Sequence, residues 1–265
     1  MTTKSKRIHL SIHIERTGGT TLMGALETLY GSEHVLLYKA GKDKFIRMSD
    51  VPVLSPAHPL LNKIKNTFEG TPILHFFYTI YIKFVQRSDR LLPWISLEEI
   101  PNDIAAIHGH FELDQVEGRF ANPYTTVILR EPLERMVSQF LHWRRTGGRP
   151  GWRVSVPFDE KITFEQYAFR PEFANYQTRA LGGKSVTEID LVGITPYTNA
   201  FIKALLGKKN RRTKIVSVNQ LVNKPGYRKL GITREMTARF RDVNALDYRN
   251  YELATERVGE YLSQK

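Results

Sequence analysis

Arg16, Thr17, Thr20 and Thr21 surround the pair Gly18-Gly19 within the segment Glu15-Arg-Thr-Gly-Gly-Thr-Thr21. A guanidinium, three hydroxyls and a turn without side chains are the ingredients of an anion cradle. Glycines let backbone N–H groups converge on one point, and a helix starting there adds partial positive charge. No Gly-Lys-Ser/Thr follows, so the segment is not a Walker A loop and ATPase or GTPase chemistry is disfavoured. A second group lies in Leu129-Arg-Glu-Pro-Leu-Glu-Arg-Met-Val-Ser138. Arg130 closes an apolar run, and Ser138 falls on the following helix, away from its apolar stripe. A guanidinium and a hydroxyl placed so suit a second phosphate, since Arg binds such groups bidentately. A plain ion pair of Arg130 with Glu134 is the competing account. Together the two groups predict two separate anion sites on one sheet.

Transfer to an alcohol also needs a base. His108 and His110 are two residues apart at a strand end, so at least one faces the cleft. Histidine titrates near neutrality, which fits general-base work. His110 is the candidate base and His108 its helper or alternate. His13 lies within the first strand and reads as a core or backing residue. The eight histidines show no His-Glu-x-x-His spacing, so no metal is expected.

The elements that carry these residues follow from periodicity. Ile8–Ile14 alternates and reads as a strand. Leu22, Leu26 and Leu29 then predict a helix that Gly31 stops. Ile104–His108 ends as a strand, and Thr125–Arg130 is the near-continuous apolar run of a buried parallel strand. Pro132 stands at a helix start, where its missing N–H costs nothing. Leu133, Met136, Val137, Phe140 and Leu141 form the stripe of that helix, and Gly147-Gly148 ends it. Thr163 and Gln166 form a capping box. Lys214–Val218 predicts a last strand, 224–229 a basic turn and Asp247–Leu262 a final helix. Prolines punctuate residues 38–100, which read as an insertion with a helix over 71–86. The expected fold class is α/β: a P-loop-like nucleotide-binding fold with a central, mostly parallel sheet flanked by helices, forming one domain over 1–265.

Composition narrows the partners. Lys and Arg number 39 against 27 acids, a net charge of +12, which suits an anionic partner. Cysteine is absent, which excludes disulfides and thiolate metal sites. The most apolar window, 73–85, contains His75, Thr79 and Lys83 and is short of the roughly 20 residues that span a bilayer. No transmembrane segment and no signal peptide are expected, and the chain reads as cytoplasmic. No RNA- or DNA-binding motif is recognisable, so no nucleic-acid partner is expected. Arg144, Arg145, Arg149 and Arg153, with Trp143 and Trp152, are either acceptor-binding residues or a solvated basic face.

The two anion groups, in this order and about 110 residues apart, resemble the sulfotransferases of the heparan sulfate 2-O- and 6-O-sulfotransferase type and their bacterial relatives. That family opens on a His-Ile-Pro-Lys-Thr-Gly-Gly-Thr-like loop; this chain has His13-Ile-Glu-Arg-Thr-Gly-Gly-Thr20. Its second motif is similar to Leu129-Arg-Glu-Pro-Leu-Glu-Arg-Met-Val-Ser138. His108-Gly-His110 resembles the segment with the catalytic histidine. Asn175-Tyr-Gln-Thr-Arg179 and Asn244-Ala-Leu-Asp247 with Tyr251 resemble two further motifs. The resemblance runs from about residue 8 to 262, with 38–100 unmatched. It implies 3′-phosphoadenosine 5′-phosphosulfate (PAPS) as sulfate donor, no metal, and a carbohydrate or small-molecule hydroxyl as acceptor. Arg16, Thr17, Gly18, Gly19, Thr20 and Thr21 would hold the 5′-phosphosulfate, and Arg130 and Ser138 the 3′-phosphate. His110 would be the base. Arg16 stands where the family has Lys and would stabilise the departing phosphate by charge. Glu15 stands where it has Pro, and is expected to point away from a polyanion or pair with a Lys or Arg. An ATP-type, kinase-like nucleotide-binding protein and a non-enzymatic polyanion binder remain as alternatives.

Overall fold

A computed structural model describes residues 7–39, 43–50, 93–148, 154, 156–207, 227 and 229–263. The helix over 71–86, the strand 214–218, most of the turn 224–229, and Arg149, Trp152 and Arg153 lie outside the described residues. So does most of the insertion.

Alternation in the first strand sets the layers. β1 (His9–Ile12) is buried along its whole length, so both of its faces are covered. Leu10 and Ile12, with Ile14 beyond the strand, join one apolar core together with Ile107, Val127 and Leu129. Ala106 and Ile128, of opposite parity on their strands, join a second core with Leu22, Leu26 and Phe201. β1 sits inside a six-stranded sheet of order β3-β2-β4-β1-β5-β6. The others are β2 (Val35–Lys39), β3 (Lys44–Arg47), β4 (Ala106–Gly109), β5 (Tyr124–Leu129) and β6 (Leu191–Ile194). Every neighbouring pair is parallel except β2 with β3. The expected α/β class with a mostly parallel sheet is therefore observed. Residues 44–47, expected at the start of an insertion, form the sheet's edge strand.

Helices cover both faces. α1 (Gly19–Tyr30) starts from Gly18, whose φ of 100° is left-handed, and ends at Gly31. α2 (Leu113–Glu117) follows β4. α3 (Pro132–Thr146) is capped by Glu131, whose side chain accepts from the Glu134 N–H at 2.7 Å, and stops at left-handed Gly147. Its stripe runs Leu133, Met136, Val137, Phe140 and Trp143, all buried. Leu141 does not belong to it and is 51% exposed. One residue past Phe140 is a turn of about 100° round the helix, which carries Leu141 off the core face. Trp143, considered above as an acceptor contact, is likewise core: its indole N–H donates to the Val156 carbonyl at 2.9 Å. The capping box of Thr163 and Gln166 opens α4 (Phe164–Ala168) as expected. α5 (Tyr176–Ala180), α6 (Thr198–Leu205), α7 (Arg234–Val243) and α8 (Ala245–Ser263) complete the described helices. No described helix is long and apolar enough to cross a membrane.

Candidate active site

Parallel strands aim their carboxyl ends at one edge of the sheet, and ligands of such sheets bind outside those ends. Here four neighbouring strands deliver the site: His110 follows β4, His13 to Gly19 follow β1, Arg130 follows β5 and Thr195 follows β6. With His142 from α3 they line a pocket of about 380 Å³. Of the nine described lining residues, His13, Glu15, Arg16, Gly18, Gly19, His110, Arg130, His142 and Thr195, none is aliphatic.

One side of the pocket is made of imidazoles. The β1–β4 register sets Ser11 opposite His108, so the next outward pair, one step past the ladder, is His13 beside His110. Their rings stack at 4.1 Å between centroids, and His13 stacks on His108 at 5.0 Å. His13, expected as a core or backing residue, thus lines the pocket itself. It presses on the loop so closely that a Cβ at position 19 would lie 1.8 Å from His13 Nε2. Glycine at 19 is required by that contact. His108 is buried and does not line the pocket; Ser11 Oγ lies 2.9 Å from its Nδ1. Burial, then the neighbouring His110 and His9, push its pKa down to about 3, so it is neutral near pH 7. Its place is beneath the loop, where it also bonds the Gly19 backbone.

His110 is one-fifth exposed, and its Nδ1 lies 2.8 Å from the His13 carbonyl. A carbonyl only accepts, so Nδ1 carries the hydrogen and Nε2 keeps its lone pair. Glu15 does not turn away: its carboxylate is 2% exposed, lines the pocket, and stands 3.5 Å from His110 Nδ1. The Tyr176 hydroxyl donates to its other oxygen at 2.6 Å.

The other side is cationic. Arg16 has a left-handed backbone, φ 71°, and its Nε donates to Ser138 Oγ at 3.0 Å. Arg130 Nη1 donates to the Arg16 carbonyl at 3.2 Å, while its Nε lies 3.6 Å from Glu134. The ion pair weighed from the sequence therefore exists, alongside pocket exposure. Arg16, Arg130 and Ser138 are thus linked to one another, with Ser138 reaching Arg16. Burial, then Arg130 and Arg145, lower the Arg16 pKa from its ordinary value. Burial, then Arg16 and Arg145, take His142 down to about 4. Ser138, His142 and Arg145 share one helix face at i, i+4 and i+7. Neither His142 nor Thr195 was singled out in the sequence.

The hydroxyls of the loop behave less as expected. Thr17 is buried and donates to the Ile14 carbonyl at 2.8 Å, so its hydrogen holds the turn together. Thr20 and Thr21 open α1; Thr21 is exposed and is not among the described residues that line the pocket.

Two sequence motifs prove to be the frame of Arg130. The Gln177 side-chain carbonyl accepts from the Arg130 N–H at 3.0 Å, and its amide donates to the Arg130 carbonyl at 2.8 Å. Gln177 in turn gives its backbone N–H to Asp247 at 3.0 Å, and Thr178 adds its N–H at 2.7 Å and hydroxyl at 2.8 Å. Asn175 and Asn244 cross-link the same segments. No group of three His, Cys, Asp or Glu side chains among the described residues is arranged to hold a metal.

The chain matches no protein-family model and no curated protein. Among solved structures it is similar to retinol dehydratase bound to retinol and PAP, at 13% identity and a TM-score of 0.38. It is similar also to retinol dehydratase with androsterone and the inactive cofactor PAP, at 13% and 0.36. Each likeness covers 100% of this chain and 83% of the other.

Proposed function

We propose that this chain is an O-sulfotransferase that uses PAPS and acts on a hydroxyl of a carbohydrate or related polar metabolite. The observation that carries the reading is the meeting of Arg16 and Arg130 at the start of α1, across a pocket from a histidine whose Nε2 is available to take a proton. The five sequence motifs that resemble the sulfotransferases converge there or on its frame.

The residues present fit the nucleotide. Burial and the neighbouring Arg130 hold the Arg16 guanidinium below its ordinary pKa, and an anion between the two would relieve it. The buried Arg130 Nε has no hydrogen-bond partner among the described residues. The α1 N-terminus adds favourable charge, and Gly18 and Gly19 line the pocket there. In this reading Arg130 holds the 3′-phosphate and Arg16 faces the phosphosulfate. Ser138 contributes by orienting Arg16. When bound, PAPS supplies a sulfuryl group whose bond to the phosphate oxygen breaks, with its electron pair leaving on that oxygen, as the acceptor oxygen bonds to sulfur. Arg16 offsets the negative charge that develops there, where electrostatic stabilisation counts most. His110 Nε2 takes the acceptor's proton. A pocket lined by polar side chains suits a hydroxyl-rich acceptor better than an apolar one.

Calorimetric titration with 3′,5′-adenosine bisphosphate, with ADP as control, tests the assignment. The bisphosphate is expected to bind at least about tenfold tighter, about 1.4 kcal/mol. Arg130→Ala is expected to erase most of that margin. Equal affinities overturn the cofactor assignment and favour an ATP-type nucleotide.

A further inference from the structure

We infer that Glu15 is a positioning residue for His110: its buried carboxylate stabilises the imidazolium that forms when His110 accepts a proton. The inference rests on the sulfotransferase reading for what the proton comes from, and deepens it at the loop position where the resembled family has proline.

A carboxylate buried to 2% exposure is costly unless something holds it. Tyr176 holds this one, donating at 2.6 Å, and the Tyr176 ring lies under the Arg135 guanidinium, 4.5 Å away. The tether leaves Oε1 facing His110 Nδ1 at 3.5 Å. That is beyond a good hydrogen bond, and Nδ1 already lies 2.8 Å from the His13 carbonyl. Glu15 therefore acts through its charge, while the carbonyl fixes the tautomer. The division of labour resembles that of a carboxylate behind a general-base histidine, with orientation and charge supplied by different groups.

The surroundings make that charge necessary. Around His110 stand His13 at the end of β1, His108 on β4, Arg16 in the loop, Arg130 after β5 and His142 on α3. Arg16 and Arg130 are permanent cations, and the imidazoles add positive charge when protonated, so all of them oppose a cationic His110. Glu15 favours it. On proton transfer, the acceptor hydroxyl's hydrogen moves to Nε2, the ring gains one positive charge, and Nδ1 keeps its own hydrogen. The same carboxylate sits in a pocket meant for a polyanion and disfavours the nucleotide. Glu15 thus acts in opposite directions on binding and on proton transfer, and a merely structural residue would not.

Glu15→Gln keeps the shape and an acceptor for Tyr176 while removing the charge. The His110 titration is followed by proton–carbon NMR in the nucleotide-free protein. Its midpoint is expected to fall by about one pH unit or more, the usual effect of losing an opposite charge at this range. Turnover at pH 7 is expected to fall at least about tenfold. Affinity for 3′,5′-adenosine bisphosphate is expected to stay equal or rise, and Glu15→Asp to restore part of the midpoint and the turnover. An unmoved His110 midpoint, or turnover and nucleotide affinity falling together, overturns the inference. If Glu15→Gln fails to fold, Tyr176→Phe decides: a loosened carboxylate lowers the midpoint in the same direction, and an unmoved midpoint overturns it. If the wild-type protein binds no bisphosphate, the sulfotransferase reading falls by itself, and the NMR midpoint still judges the Glu15–His110 pair.

Discussion

The two walls of the pocket are built by different forces. The histidine wall adds ring contact to two short hydrogen bonds, His110 to the His13 carbonyl and His108 with Ser11: rings of His108, His13 and His110 stack in a row and the last glycine of the turn is pressed flat beneath His13. The arginine wall is held by directed bonds, running from Arg16 to Arg130, to Gln177, to Asp247. The buried His108 of that row, pushed below its ordinary pKa, loses stability when protons are added. A chain of hydrogen bonds ending on a buried carboxylate loses stability when one link is cut. The same pocket therefore has one wall sensitive to acid and one sensitive to mutation at a distance.

The largest effect is expected from cutting the chain at its far end. Asp247→Ala removes the acceptor of two buried N–H groups and one hydroxyl. Each such loss costs about 1–3 kcal/mol, so roughly 3 kcal/mol or more of stability should disappear in a denaturant titration. Nucleotide affinity should fall as well, because Arg130 loses its frame. Unchanged stability would mean that the arginine wall rests on packing after all.

Acid should act on the other wall. Burial lowers His108 to about 3 and His9, at the start of the adjacent strand β1, to about 4, against about 6.5 in the unfolded chain. Below pH 6.5 the unfolded state binds more protons than the folded one. Stability present above that pH is therefore lost as pH falls toward 4, with a slope of about 1.4 kcal/mol per pH unit for each histidine. Denaturation measured from pH 7 to 4.5 gives the slope, and His108→Asn should flatten it. A slope that His108→Asn leaves unchanged would remove the histidine wall's distinction.

Ser138→Ala should do least. It deletes one half-buried hydrogen bond to Arg16, about 1 kcal/mol, and leaves both guanidiniums in place. Bisphosphate affinity should drop by less than about tenfold. A loss as large as that of Arg130→Ala would restore Ser138 as a direct anion ligand and blur the two-wall picture.

The sheet and its ligand edge were legible because apolar runs and strand-end residues are local signals. Ile8–Ile14 and Thr125–Arg130 alternate or cluster by themselves, and Pro132 and Gly147 mark α3 without help. His13 was misread because its partner lies 97 residues away, across a register that no single strand reveals. The cue existed in retrospect: Ser11 and His13 share parity, as do His108 and His110, and two adjacent strands set them in matching pairs. Gln177 stood inside a recognised motif, yet its function is to grip the backbone of Arg130, which only tertiary structure shows. The bond of the Thr17 hydroxyl was hidden for the converse reason: its hydrogen goes to a local carbonyl three residues back.

Arg16 has a consequence beyond the pocket. Its positive φ is a backbone shape that glycine adopts freely and an arginine adopts at a cost of roughly 1–2 kcal/mol. The loop thus keeps its key cation at the one kind of position where a smaller residue would make the fold more robust. Selection for heat resistance alone would drift toward glycine at this point and discharge the site. Durability of the fold and positive charge in the pocket are opposed at Arg16.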